Sequence, residues 1–340
     1  MNYRPIEKPA EQSILRMRHE HWTKLGPLLI SPAQKYGAPL GSDHVFERTV
    51  HVRFSRACWE ELPWAGLGFV SGHPASEVAV NPSRQRAPGL LRMALELRMP
   101  FEFAASVAAL PVLMSGPRGD GHTVLVIPGL AASDVSTRPL RLYLSGLGYD
   151  AQKWNLGRNL GPRPGVLEGC THLLGRLHRK SGRKVSLIGW SLGGIYAREI
   201  AKLQPEHVRS VITLGTPLTV DPDATNAASV YRFLNGDDEG TGKWDDLKTA
   251  PPVPTTSIYS RSDGIVAWQS SVQPSSRVAE NIEVEASHIG LAVNPVALYA
   301  IADRLAQPEG QWTPFERTGA MQWLYPDPTA RDWVPDTWLV

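Results

Sequence analysis

The segment that decides the fold reads Lys184-Val185-Ser186-Leu187-Ile188-Gly189-Trp190-Ser191-Leu192-Gly193-Gly194-Ile195-Tyr196-Ala197. An apolar, β-branched run leads into a serine flanked by glycines, and a helical pattern begins directly after it. This order predicts a strand, a sharp turn and a helix, with Ser191 at the apex of the turn. In such a strained turn, the residues two positions before and after the serine lie in close contact. This favours glycine at positions 189 and 193.

The predicted turn places the Ser191 hydroxyl at the end of a sheet. It also aims the Leu192 N–H, at the start of a helix, toward negative charge on a bound molecule. The pattern Gly-x-Ser-x-Gly between a buried strand and an apolar helix is typical of a nucleophile elbow. We therefore predict that Ser191 is a nucleophile. The pentapeptide alone is only moderately specific, so the prediction depends on partners elsewhere in the chain.

Apolar strands alternate with amphipathic helices on both sides of this segment. Strands are predicted at residues 123–127, 149–154, 184–188, 208–214, 255–259 and 281–284, and helices at 137–147, 166–180, 192–203 and 294–305. Strands that alternate with helices indicate a mostly parallel sheet with helices on both faces. The predicted fold class is therefore α/β.

The regular pattern covers only part of the chain, and we predict one domain over residues 89–306. Residues 1–88 hold few clear periods and are interpreted as a poorly ordered or accessory N-terminal extension. Residues 218–253 are rich in aspartate and glycine and interrupt the alternation, as a short lid-like insertion would. Residues 307–340 are rich in tryptophan and proline, and we expect this tail to pack its rings on the body.

Composition excludes several functional classes. Of 340 residues, 42% are apolar and 20% are charged, which is enough to bury a core. The 35 basic and 33 acidic side chains give a net charge of +2 with no dense basic run, so we predict no nucleic-acid partner. The two cysteines, Cys58 and Cys170, lie far apart in sequence, which argues against a disulfide framework and favours a reducing compartment.

The stretch from residue 90 to residue 114 is the most apolar part of the first third of the chain. Its longest uncharged run, residues 103–114, is shorter than the roughly 20 residues that span a bilayer, so we predict no transmembrane segment. Two interpretations stay open: a helix lying on the enzyme body, and a peripheral membrane contact. Because residues 1–8 do not resemble a signal peptide, we expect a soluble, cytoplasmic protein.

A serine nucleophile needs a base and a group that orients the base. Asp263 follows the predicted strand 255–259 in the turn Ser-Asp-Gly, and His288 follows the last predicted strand. The carboxyl ends of parallel strands meet at one edge of a sheet, so we expect Ser191, Asp263 and His288 to converge there. We predict that Asp263 orients His288 and that His288 activates Ser191.

Other acids and histidines fit these roles less well. The rival acids lie in the charged, glycine-rich insertion, and the rival histidines precede a strand at the opposite end of the sheet or fall in or beside helices. These residues are Asp237, Asp238, Asp245, Asp246, His122, His172, His178 and His207.

An acyl-transfer intermediate needs two N–H donors for its oxyanion. Leu192 supplies one, and we predict that Leu130, in the loop Pro128-Gly129-Leu130-Ala131 after the first strand, supplies the other. Gly129 would let the backbone approach a substrate closely. The sequence contains no nucleotide-binding glycine loop and no ligand spacing typical of a metal, so we predict no cofactor and no metal.

Five motifs together resemble α/β-hydrolases of the bacterial serine esterase and lipase type. They are Pro128-Gly129-Leu130, Gly189-Trp190-Ser191-Leu192-Gly193-Gly194, Leu214-Gly215-Thr216-Pro217, Ser262-Asp263-Gly264-Ile265-Val266 and Ser287-His288-Ile289-Gly290-Leu291. The resemblance covers residues 90–306 and implies a hydrolase of small-molecule or lipid carboxylic esters. One departure is Pro128, where many relatives have histidine.

The same machinery would serve an acyltransferase or a thioesterase, and a hydrolase-like scaffold that only binds ligands is a further alternative. The complete set of predicted parts favours an enzyme.

Overall fold

The computed structural model describes residues 87–218, 225–226, 247 and 249–327. Six strands form one sheet: β1 (Thr123–Ile127), β2 (Asp150–Lys153), β3 (Val185–Trp190), β4 (Val208–Leu214), β5 (Thr255–Tyr259) and β6 (Ala279–Glu283). Their order across the sheet is β2-β1-β3-β4-β5-β6, and every neighbouring pair is parallel. The predicted α/β class is confirmed.

Helices connect and cover the strands. They are α1 (Leu90–Leu95), α2 (Met99–Met114), α3 (Arg138–Gly146), α4 (Val166–Ser181), α5 (Leu192–Leu203), α6 (Pro295–Ala306) and α7 (Met321–Leu324). A 3₁₀ turn, Glu96–Arg98, joins α1 to α2, and others lie at Pro205–His207, Trp268–Ser271 and Gly290–Ala292. Parallel strands need such crossover connections because a tight turn cannot join them.

Two hydrophobic layers lie on opposite faces of the sheet. Successive strand residues point to opposite faces, so in β1 Val124 and Val126 join one cluster while Leu125 and Ile127 join the other. The first cluster includes side chains from α3 and α6, and the second includes side chains from α4 and α5. The fully buried strands explain the continuous apolar runs in the sequence.

The helical stretch from Leu90 to Met114 precedes the sheet and is largely exposed. It is anchored by Leu113, which lies in the first core cluster, and by Ser106, whose hydroxyl donates a hydrogen bond to the carbonyl of Val293. The exposed apolar side chains are Leu90, Leu91, Met93, Leu95, Leu97, Phe101, Phe103, Val107, Leu110 and Val112.

By length and composition alone, this 25-residue helical stretch is the one among the described residues that could cross a membrane, and an 18-residue window within it has a mean hydropathy of 1.4. The helical stretch is longer than the uncharged run of residues 103–114, from which the sequence predicts no transmembrane segment. The absence of a transmembrane segment therefore stays a prediction, as does the peripheral membrane contact.

The aromatic rings in the described part of the tail differ in burial, and Trp312 is partly buried. Phe315 and Tyr325 are buried with ring centroids 4.7 Å apart, whereas Trp323 is 84% exposed. Trp333 and Trp338 lie outside the described residues, as do most of the proposed N-terminal extension and most of the proposed lid.

Candidate active site

Ser191 occupies the sharp turn between β3 and α5 that the sequence predicts. Its φ of 53° and ψ of −124° lie outside the regions that non-glycine residues normally adopt. A Cβ atom on Gly189 would overlap the backbone of Gly193 and Gly194, and one on Gly193 would overlap the Ile127 carbonyl. The glycines are therefore required by close backbone contacts at both positions.

Hydrogen bonds to the end of β4 hold the turn in this conformation. The Ser191 N–H donates to the Leu214 carbonyl at 2.8 Å, and the Thr216 hydroxyl donates to the Ser191 carbonyl at 2.9 Å. Gly194 lies directly against the Thr216 side chain. These contacts stabilise a strained backbone, a feature that clusters at functional sites.

Asp263 and His288 are in direct contact, as the sequence predicts. Asp263 Oδ2 lies 2.6 Å from His288 Nδ1, and both side chains are almost fully buried. The other carboxylate oxygen accepts the N–H groups of Ile265 and Val266 at 2.8 Å and 2.7 Å. The backbone therefore fixes the carboxylate, and the carboxylate in turn orients the imidazole.

Opposing effects act on the pKa of His288. Burial of the imidazole lowers its pKa, whereas the negative charges of Asp263 and Glu96 and the hydrogen bond that the imidazole donates to Asp263 raise it. The net result is a pKa above the ordinary value for histidine. The protonated form of His288 is thus stabilised next to the carboxylate.

The serine turn and the histidine loop meet through Trp190. Its indole Nε1–H donates to the His288 carbonyl at 3.1 Å, and the two ring centroids are 6.3 Å apart. Gly215 packs against both His288 and Asp263. Among the described residues no hydrogen bond joins the Ser191 hydroxyl to His288, so the contact between nucleophile and base stays a prediction.

The loop after β1 lies beside the serine, where the second oxyanion donor is predicted. Gly129 faces Ser191 closely enough that a Cβ on the glycine would be 3.1 Å from the serine Cβ. Leu130 follows, and Ala131 has a φ of 59°, which turns the chain. Leu192 is the first residue of α5, where backbone N–H groups have no partner within the helix. The roles of Leu130 and Leu192 stay predictions.

Sequence reasoning missed Asn159, which holds the same loop. This buried side chain donates from Nδ2 to the Pro128 carbonyl at 2.8 Å. Its own backbone exchanges hydrogen bonds with Ala131 at 2.7 Å and Ala132 at 2.8 Å. No sequence pattern marks this asparagine, since it lies in a loop that is remote from residue 128.

Sequence reasoning also missed Glu96, in the turn between α1 and α2. Its buried carboxylate accepts hydrogen bonds from the backbone of the loops that carry Asp263 and His288. The sequence around Glu96 does not predict that this acid contacts loops that are distant along the chain.

The alternative candidates for the acid and the histidine lie away from the Asp263–His288 pair or outside the described part of the chain. His122 is buried at the opposite edge of the sheet, between Asp120 and Ser186. His178 and His207 stack on each other with ring centroids 4.3 Å apart. The four rival aspartates of the insertion are outside the described residues.

Two further observations concern possible metal ligands and the thiol of Cys170, which lies in the second core cluster. The described residues contain no group of three or more histidine, cysteine, aspartate or glutamate side chains placed to hold a metal ion. Burial raises the pKa of the Cys170 thiol to about 12, so the reactive thiolate is disfavoured.

Comparison with known proteins gives partial matches. No family model matches the chain. The biotin biosynthesis bifunctional protein BioHC of Teredinibacter turnerae is 32% identical over 28% of this chain and 21% of its own length. The chain thus spans about a fifth of that relative.

Two similar solved structures are lipases. Aspergillus fumigatus lipase B is 21% identical with a TM-score of 0.45, covering 57% of this chain and 54% of the lipase. Paleococcus ferrophilus monoacylglycerol lipase is 16% identical with a TM-score of 0.39, covering 56% of this chain and 96% of the lipase.

The protein has the α/β-hydrolase fold, as the sequence resemblance implies. Its own topology carries this assignment: a parallel sheet has the strained serine after β3, the aspartate after β5 and the histidine after β6. The chain order serine, aspartate, histidine is the one found in this fold.

Proposed function

We propose that this protein is a serine hydrolase that cleaves carboxylic esters through an acyl-enzyme on Ser191. The observation that carries the proposal is the buried Asp263–His288 pair, at the same edge of the sheet as the strained Ser191 turn. A paired aspartate and histidine beside an activated serine is the arrangement that acyl transfer requires.

In the first half of the reaction, the Ser191 hydroxyl oxygen attacks the ester carbonyl carbon while His288 Nε2 takes the hydroxyl proton. The carbonyl π-electron pair moves to oxygen, and the N–H groups of Leu192 and Leu130 stabilise that charge. The pair then returns and the ester C–O bond breaks. The leaving alkoxide takes the proton from His288, which leaves an acyl group on Ser191.

In the second half, water replaces the alcohol. His288 takes a proton from water as the water oxygen attacks the acyl carbon, and the bond to Ser191 breaks with return of that proton to the serine. Asp263 keeps the imidazole in the tautomer whose Nε2 faces these transfers. The net reaction consumes one ester and one water and releases one acid and one alcohol.

We propose a small-molecule or lipid ester as the substrate class and a soluble, cytoplasmic location. The substrate proposal is tested with p-nitrophenyl esters of increasing acyl length. Wild-type protein should release p-nitrophenol and should react covalently with a fluorophosphonate probe at Ser191. A folded protein that does neither would overturn the proposal and favour a scaffold that only binds ligands.

The competing transfer activities are separated by their products. With an added alcohol, a hydrolase still releases mainly free acid, whereas an acyltransferase forms the new ester. Matched oxygen esters and thioesters of the same acyl group distinguish an esterase from a thioesterase by their relative kcat/KM.

A further inference from the structure

We propose that Glu96 is a positioning residue for the Asp263–His288 pair, so that the helical segment before the sheet is part of the catalytic assembly. This inference rests on the proposed hydrolase function, because it assigns a role within the same site. It goes beyond the triad, since Glu96 precedes the first strand and touches neither the serine nor the predicted oxyanion donors.

The Glu96 carboxylate joins the two loops that carry the acid and the base. Its Oε1 accepts the Gly264 N–H at 2.8 Å and the His288 N–H at 2.9 Å, and its Oε2 accepts the Ile289 N–H at 3.0 Å. Gly264 directly follows Asp263 in the chain. One side chain therefore fixes the backbone at Asp263 and His288 at the same time.

The buried Glu96 carboxylate requires hydrogen-bond donors. Glu96 is 8% exposed, and a buried carboxylate is costly unless hydrogen-bond donors satisfy its oxygens. Hydrogen bonds to an ionised acceptor are shorter and roughly twice as strong as neutral ones. The three bonds therefore satisfy the buried oxygens and tie this segment to both loops.

Neighbouring contacts fix the segment in the position that Glu96 needs. Glu102 accepts hydrogen bonds from the N–H and the hydroxyl of Ser287, at 2.8 Å and 2.7 Å. Arg98 donates to Glu102 and to Ser262. Gly264 lies so close to the Arg92 backbone that a Cβ atom there would overlap the Arg92 carbonyl.

The rate of the proposed reaction depends on the position of the His288 imidazole. In the proposed mechanism, the imidazole of His288 contacts Asp263 through one nitrogen and the serine through the other. The backbone of residues 288–289 determines the position of this imidazole. A misplacement of about 1 Å at a reacting group costs on the order of 10²-fold in rate. Glu96 holds that backbone and adds negative charge near the imidazole.

Glu96→Gln tests the role because it preserves size but removes the charge and turns one acceptor into a donor facing N–H groups. Glu168→Gln, on the exposed surface of α4, is the matched control. We expect kcat on a p-nitrophenyl ester to fall about 10- to 100-fold with little change in KM. We expect fluorophosphonate labelling to slow in parallel. The control should behave as wild type.

The pH profile gives a readout that a merely structural role would not move. Among the residues that the structure describes, the charged groups in contact with the His288 loop are Asp263, Glu96 and Glu102, with Arg98 and Glu285 beyond them. Loss of the Glu96 charge should move the acid limb of the kcat/KM profile to lower pH. Glu96→Asp, which keeps the charge on a shorter side chain, should restore the limb and part of kcat.

Hydrogen exchange tests the contact without reference to activity. In the wild-type protein, the amides of Gly264, His288 and Ile289 should be among the slowest to exchange in their loops, and Glu96→Gln should accelerate all three. Weak protection of these amides in wild type would overturn the inference even if no variant folds. An active wild type with an equally active Glu96→Gln variant would also overturn it, whereas an inactive, unlabelled wild type would instead contradict the proposed function.

Discussion

Asp263 Oδ2 lies 2.6 Å from His288 Nδ1, and the opposite oxygen of the same carboxylate accepts two backbone N–H groups. This arrangement commits Nδ1 of the imidazole to the carboxylate. Nε2 is the nitrogen left for proton transfer, and a rotated or flipped ring would lose the bond to Asp263.

The raised pKa of His288 predicts the pH dependence of hydrolysis. The imidazole must be neutral to accept the serine proton, so kcat/KM should rise with pH as the imidazolium loses its proton. The midpoint should lie above the ordinary histidine pKa of about 6.5, because Asp263 and Glu96 outweigh the opposing effect of burial. Initial rates on a neutral ester across the pH range check this, and a midpoint at or below about 6.5 would contradict it.

Replacing Asp263 by asparagine should lower kcat by about 10³- to 10⁴-fold while preserving the fold. The amide can no longer stabilise the imidazolium or fix its tautomer. The acid limb of the pH profile should also move to lower pH, because the effect of burial on the His288 pKa would then prevail. A variant that keeps the wild-type profile would show that another acid serves His288.

Replacing Ser191 by alanine should remove the nucleophile and lower kcat by about 10⁴-fold or more. Fluorophosphonate labelling should disappear. Ser145→Ala, on the exposed face of α3, is the matched control and should keep full activity and full labelling. Labelling that survives in the Ser191 variant would locate the reactive group elsewhere.

Replacing Gly189 by alanine should destabilise the protein by about 3 kcal/mol or more, since the new methyl group would overlap the backbone of the serine turn. The free energy of unfolding in a denaturant titration measures this. Gly89→Ala adds a methyl group where no atom lies within 4 Å, so it should change stability by less than about 0.5 kcal/mol. Equal effects at the two positions would argue against a tight turn.

Replacing Asn159 by alanine should leave the buried Pro128 carbonyl without a donor and cost about 1–3 kcal/mol of stability. The predicted oxyanion loop would then be held less firmly. We expect kcat to fall about 10-fold or more with little change in KM, because the oxyanion contact forms mainly in the transition state. A stability loss with unchanged kcat would separate Asn159 from the reaction.

Much of the fold can be predicted from sequence because its signals are local. The prediction for residues 208–214 and 255–259 matches β4 and β5 residue for residue, since every residue of the two strands except Ser210 is buried and each strand ends at a turn. The helix predicted at 192–203 matches α5 because the glycine-flanked serine fixes its start. The Asp263–His288 pair follows from the rule that parallel strands end at one edge.

The contacts of Asn159 and Glu96 could not be predicted in this way. Each is a polar residue whose partners are set by how separate segments fold against each other, with no periodicity to mark it. The burial of individual rings in the tail could not be predicted from the sequence either. Phe315 and Tyr325 lie in the first core cluster, Trp312 is partly buried and Trp323 faces solvent, and no sequence pattern distinguishes these rings.

The bond between Glu96 and His288 also determines when the active site can form during synthesis of the chain. The two residues are 192 positions apart, so a ribosome working at about 5–20 residues per second delivers the second roughly 10–40 s after the first. Until residues 264 and 288–289 have been added to the chain, the Glu96 carboxylate lacks the N–H donors that it contacts in the folded protein, so the complete arrangement forms only after the last strand has been synthesised.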